Sequence, residues 1–223
     1  MGNKLKQFFN KVLDIMYPKG LACISCQREL DDHEREYALC KKCHGLLTPV
    51  ESHTKIIIGT KVFSCFEYDK VARQFVLSYK DSEKPYIAEY IAKFIKDKYI
   101  EKNLDLDGIV FVPSSLKKIS KRGYDALKIV AKHLSSMLDI PILYGLSKKN
   151  VATDLTEVPK EKRAKAVEDM FFVAKDNNLK DKKVLIIDDV ITTGATLNKC
   201  VKELQNVGVK EVTAITFSKA YHQ

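Results

Sequence analysis

The stretch Val184-Leu185-Ile186-Ile187-Asp188-Asp189-Val190-Ile191-Thr192-Thr193-Gly194-Ala195-Thr196-Leu197 decides the fold. Val184–Ile187 carries no polar side chain on either face, which suits a strand in the middle of a parallel sheet covered on both sides. Two carboxylates close the strand. Threonines around one glycine follow, and Ala195–Val207 then returns apolar residues at helical spacing. Ligands of open parallel sheets collect at the carboxyl ends of strands. A helix N-terminus adds unpaired N–H groups and the positive end of the dipole, which together hold a phosphate. Thr192, Thr193 and Thr196 add hydroxyl donors, and Gly194 lets the backbone come close.

The two aspartates narrow the ligand. The loop has no GxxxxGK[ST] and is not a nucleotide P-loop. Carboxylates beside a phosphate cradle suit vicinal sugar hydroxyls, which donate hydrogen bonds to them. The stretch therefore reads as a site for a ribose with a 5-phosphate. A phosphorylated response-regulator aspartate could follow such a strand, but it has no need of the threonine loop.

Working outward, the same rhythm recurs. Gly108–Val112 is a short apolar run between Asp107 and Pro113, expected as a strand. Asp125–Leu138 has helical spacing, Ile140–Leu146 reads as a second strand and Val212–Phe217 as the last. Strands alternating with helices pair in parallel through helical crossovers. Upstream, Ile56–Tyr68 is strand-rich around a Gly59-Thr60 turn, and helices are expected at Val71–Tyr79 and Tyr86–Tyr99. Residues 147–182 are dense in charge, and so long an insertion is usually functional or mobile. Pro113-Ser114-Ser115 follows the first strand of this part, where a pyrophosphate-facing loop belongs. Arg122 and Arg163 are the cations best suited to phosphate oxygens, because their planar fork binds two at once.

Six cysteines are present, and four of them form Cys23-Ile24-Ser25-Cys26 and Cys40-Lys41-Lys42-Cys43, with 13 residues between the pairs. Two such knuckles supply four soft ligands in a tetrahedron, which suits zinc in a closed, structural site. The metal replaces the core that so short a segment cannot build. A redox pair is disfavoured, since neither CxxC is expected to open a helix after a strand. Cys65 and Cys200 read as small apolar core residues. None of the five histidines has a placed nucleophile or acid partner, and no catalytic residue is assigned.

Composition bounds the rest. The chain has 223 residues, 45% hydrophobic and 30% charged, and a formal charge of +9. The excess favours polyanions, although a lysine-rich solvated surface explains it equally well. No apolar run approaches the roughly 18 residues needed to span a bilayer. Residues 1–17 interleave lysines with apolar positions, an amphipathic helix and not a signal peptide. A cytoplasmic protein without membrane insertion is expected. It divides into an N-terminal helix and zinc module (1–50) and an α/β domain (51–223).

At this point Ile186–Thr196 resembles the 5-phosphoribosyl-1-pyrophosphate (PRPP) motif of the phosphoribosyltransferases. That resemblance implies a type I phosphoribosyltransferase-like parallel sheet with a hood. Asp188 and Asp189 would hold the ribose hydroxyls. Thr192, Thr193, Gly194, Ala195 and Thr196 would hold the 5-phosphate, and Mg2+ would accompany PRPP. Over nearly its full length the chain is similar to the ComF family, which sets a four-cysteine module ahead of such a domain. Tyr17-Pro18, Val112-Pro113 and Lys121-Arg122-Gly123-Tyr124 carry the likeness. Asp125 and Ala126 depart from the family's Asn-Gln. Of the downstream pattern, Arg163 and Phe171 follow it while Leu155, Ala166 and Asp169 do not. The resemblance implies binding of PRPP or a related phosphoribosyl compound and a role in DNA uptake during competence. Single-stranded DNA and a competence helicase are the implied partners. Tyr79, Tyr124 and Phe171 are aromatics that could stack bases, although most such aromatics are core. The alternative is an active transferase that moves ribose 5-phosphate from PRPP to a base or amine and releases pyrophosphate. No acceptor is legible.

Overall fold

A computed structural model describes residues 21–50, 55–81, 84–148, 171–174 and 178–220. The expected N-terminal helix and Arg163 lie outside them. The chain divides into two compact units, one ending at Leu46 and one beginning at Leu47.

The large unit is built on a five-stranded sheet. Its strands are β1 (Lys55–Ile57), β2 (Thr60–Glu67), β3 (Gly108–Phe111), β6 (Lys183–Ile191) and β7 (Glu211–Lys219), in the order β1-β2-β7-β6-β3. The β2–β7, β7–β6 and β6–β3 pairings are parallel, and only β1 runs antiparallel to its neighbour β2. The central parallel arrangement follows from the apolar runs. Val184, Leu185, Ile186 and Ile187 are all fully buried, so both faces of β6 are covered. A separate hairpin pairs β4 (Leu146–Lys148) with β5 (Phe171–Val173).

Strand alternation sorts the two faces. Val62, Val110, Val184, Ile186, Val212 and Ala214 pack with Cys200, Val201 and Leu204 of helix α6 (Ala195–Asn206). On the other face lie α2 (Lys70–Asp81), α3 (Ile87–Glu101) and α5 (Ala126–Leu138). There Phe66, Phe75, Phe94 and Phe217 interlock, with ring centroids 4.9 to 5.9 Å apart. Asp69 starts α2 by accepting the N–H of Ala72 at 2.8 Å. A short helix α4 (Leu116–Arg122), not expected from the sequence, is capped by the Ser115 hydroxyl and ends at Gly123 with φ +81°.

The expected strand Ile140–Leu146 is a correction. Only a single parallel bridge, Ile142 to Ile109, forms there, and regular pairing starts at Leu146. The fourth parallel position belongs instead to β2, beside β7. Among the described residues no helix is long and apolar enough to cross a membrane.

Candidate functional site

β6 runs further than the apolar run alone suggested, so Asp188 and Asp189 sit inside its last stretch of pairing, where Thr216 and Ser218 of β7 lie alongside. Both are buried, at 8% and 9% exposure. The Asp188 carboxylate accepts the Asp189 N–H at 2.8 Å. Burial and the neighbouring Asp189 push its pKa up to about 8, against that N–H and the charges of Lys80 and Lys118. Asp189 forms an ion pair with Lys80 on the last turn of α2, Nζ to Oδ2 2.6 Å. Buried hydroxyls underlie the pair. Ser64 and Thr216 share a 2.7 Å hydrogen bond, and the Ser218 hydroxyl donates to the Asp189 carbonyl at 3.5 Å.

The turn after the acids is open. Thr192, Thr193, Ala195 and Thr196 are exposed, while Gly194 is buried at the N-cap of α6 with φ +81°. That left-handed backbone is open to glycine at little cost and strained for other residues. The Ala195 N–H reaches the Thr193 hydroxyl at 3.3 Å. The structure thus sets buried carboxylates, exposed hydroxyls and a helix N-terminus on one strand-to-helix turn.

The loop after β3 has a partner that sequence reasoning passed over. Asp125, noted only as a departure from Asn, accepts the Ser114 N–H at 3.3 Å and the Ser114 hydroxyl at 3.0 Å. Ser115 caps α4, and Arg122 is half-buried at its end. Ser114 and Asp125 also line a cleft of about 420 Å³ with Phe111, Leu143, Tyr144 and Lys148. Tyr144 is 57% exposed and meets Phe111 edge-on at 6.2 Å. Lys148, held below its usual pKa by burial and by Lys118, also feels Asp188.

Two further groups stand at the acid pair without a signal in the sequence for that place, Lys80 and Tyr79. Tyr79 is fully buried, and its hydroxyl has no hydrogen-bond partner among the described residues. Such an orphan costs about 1–3 kcal/mol. Burial first, and then Asp189, Asp188 and Asp125, hold its pKa well above the ordinary value. Two of the three candidate stacking aromatics are core residues. Tyr79 and Phe171 are buried, and Tyr124 uses its hydroxyl on the Tyr79 carbonyl at 2.9 Å, so these rings are not free platforms.

In the small unit, the ligand atoms of Cys23, Cys26, Cys40 and Cys43 all lie within 4.8 Å of one another. None is in a disulfide. Cys23, Cys40 and Cys43 are buried and Cys26 is exposed. The first knuckle closes through Cys23 N–H to the Arg28 carbonyl and Gln27 N–H to the Cys23 carbonyl, 2.7 and 2.9 Å. The second places Cys40 as N-cap of α1 (Lys41–His44), its sulfur accepting the Cys43 N–H at 3.4 Å. That pair does open a helix, if only of four residues. Burial works against the Cys40 thiolate, yet the Cys43 N–H and Arg28 hold its pKa down to about 6. Four thiols this close fit a metal ion and could hold one. Cys65 and Cys200 are core residues, and burial pushes both thiols up.

Residues 116–222 match the phosphoribosyl transferase domain family. Competence protein F of Haemophilus influenzae is 31% identical over 116 residues, covering 51% of each chain. Competence protein ComFC of Streptococcus pneumoniae is 26% identical over 166 residues, 72% of this chain and 68% of that one. The chain is thus similar to competence proteins of the ComF type, and its C-terminal part matches a phosphoribosyl transferase domain. The chain spans about half the length of the Haemophilus relative it matches. Among solved structures, the glutamine PRPP amidotransferase of B. subtilis complexed with ADP and GMP is 20% identical. The match covers 62% of this chain and 30% of that one, with a TM-score of 0.46. The domain match takes in the β6–α6 turn, and the four cysteines lie ahead of it.

Proposed function

We propose that this chain binds PRPP or a related phosphoribosyl compound at the β6–α6 turn. The observation that carries the reading is the buried acid pair at the carboxyl end of a central parallel strand. It runs directly into exposed threonines and the N-terminus of a twelve-residue helix. Asp188 and Asp189 take the ribose hydroxyls, and Thr192 to Thr196 take the 5-phosphate. Ser114, Ser115 and Arg122 face the pyrophosphate, with Arg163 as a further cation for it. Mg2+, bound with the ligand, supplies charge neutralisation at the pyrophosphate. Zinc on the four cysteines is structural, since sulfur fills every position.

The role we propose is DNA uptake in the cytosol during competence, the two relatives being named competence proteins. Single-stranded DNA and a helicase are its partners. If the +9 charge serves DNA, affinity for single strands falls steeply with salt. Binding that stays flat from low to physiological salt removes that part of the proposal. The second reading is an active transferase, favoured by the roughly 420 Å³ cleft beside Ser114, which has room for an acceptor.

Calorimetric titration with PRPP and Mg2+ tests the site. Wild type binds and Asp188→Ala does not. If wild type shows no heat with PRPP, the site reading fails. Pyrophosphate release on addition of a base or amine, lost in Asp188→Ala, separates the transferase from the binder.

A further inference from the structure

We propose that Lys80 is a positioning residue of the ribose site, fixing the orientation in which Asp189 meets the ligand's hydroxyls. The inference rests on the phosphoribosyl-binding reading above. Along β6, alternation sends neighbouring side chains to opposite faces of the sheet. Asp188 stands opposite Thr216, in line with Ser64, on the α6 side. Asp189 belongs to the other side, where α2 packs through Phe75 against Phe217. The two carboxylates proposed for one ribose leave the strand on opposite faces, so each needs its own orienting group at the strand end. Asp188 has the Asp189 N–H at 2.8 Å. Asp189 has Lys80 at 2.6 Å.

The pair is placed to meet a ligand. The Asp189 side chain is 12% exposed and that of Lys80 is 26%, so the bridge is neither sealed in the core nor loose in water. A bridge of this kind holds a carboxylate rotamer while leaving its second oxygen to accept from a hydroxyl. The turn that carries Lys80 also carries Tyr79, whose fully buried hydroxyl has no partner among the described residues and feels Asp189, Asp188, Asp125 and Arg122. The end of α2 therefore brings two otherwise unexplained polar groups to the acid pair. Neither belongs to the strand-turn-helix motif.

The test compares wild type, Lys80→Met and Lys80→Arg by PRPP titration with Mg2+, with the melting temperature of each recorded. Lys93→Met is the control for loss of one cation elsewhere, since Lys93 lies on α3 and pairs with Glu89 of the same helix at 3.3 Å. Lys80→Met should weaken PRPP binding about tenfold or more, because a misplaced contact costs up to about a hundredfold. Lys80→Arg should stay within a few-fold of wild type, and Lys93→Met should match it. Should Lys80→Met fail to fold, Lys80→Gln against Lys80→Arg makes the same comparison. Equal affinity in wild type and Lys80→Met overturns the proposal while leaving the site reading intact. So does an arginine variant as weak as the methionine one. A wild-type protein that binds no PRPP overturns the site reading, and this inference with it.

Discussion

Asp188 carries the largest electrostatic cost at the turn. Burial and Asp189 raise its pKa from the ordinary 3.8 to about 8. Between roughly pH 4 and pH 8 the folded protein therefore keeps a proton that the unfolded chain gives up. Stability linked to this group is full below pH 4 and declines as pH rises to about 8. An asparagine keeps the shape and cannot ionise. Asp188→Asn should thus melt higher than wild type, with a gap that widens from pH 5 to pH 9. Each tenfold difference in proton affinity between the folded and unfolded chain is worth about 1.4 kcal/mol, so the widening should reach several degrees. Thermal melts of both proteins across that range check it, and a gap that stays constant refutes the buried, protonated acid.

At the scale of the element, the β6–α6 turn was legible because its causes are local. An apolar run, paired acids, one glycine and a helical pattern follow each other within the quoted stretch. Gly194 shows why the order matters. Its φ of +81° places it in the left-handed region at the N-cap of α6, where the strand turns into the helix. Gly194→Ala should cost about 1–2 kcal/mol through the left-handed backbone and weaken PRPP binding as the turn relaxes. Chemical denaturation alongside the PRPP titration measures both, and a variant with unchanged stability and affinity would show that the turn geometry is not required. What lay outside the stretch was less legible for physical reasons. Ile140–Leu146 has strand composition, yet it makes only one parallel bridge, Ile142 to Ile109 at the β3 edge of the sheet, before Leu146 turns into the separate β4–β5 hairpin. Lys80 meets Asp189 only after α2 packs on the sheet, and Asp125 meets Ser114 only after the loop closes. No spacing rule encodes such contacts.

The whole molecule divides its stability between two different sources. The unit from Leu47 onward has a two-faced core, with aromatic rings on one side of the sheet and α6 on the other. The unit ending at Leu46 buries few large apolar side chains among its described residues, Ile24, Leu30 and Leu39 with Ala38. A core that small offsets little of the entropy of ordering its chain, and an ion on the four thiols would supply the difference. The cysteine cluster was readable from spacing alone because metal ligation needs only the right atoms within reach, and 4.8 Å meets that need. Removal of metal with a strong chelator under reducing conditions should therefore expose residues 21–46 to protease, while the sheet unit keeps its own melting transition. Elemental analysis of the untreated protein should return about one zinc per chain, as four thiolates hold one tetrahedral ion. Protein that contains no metal, and whose N-terminal unit resists protease as well before chelation as after, would mean that the four thiols support the fold without an ion.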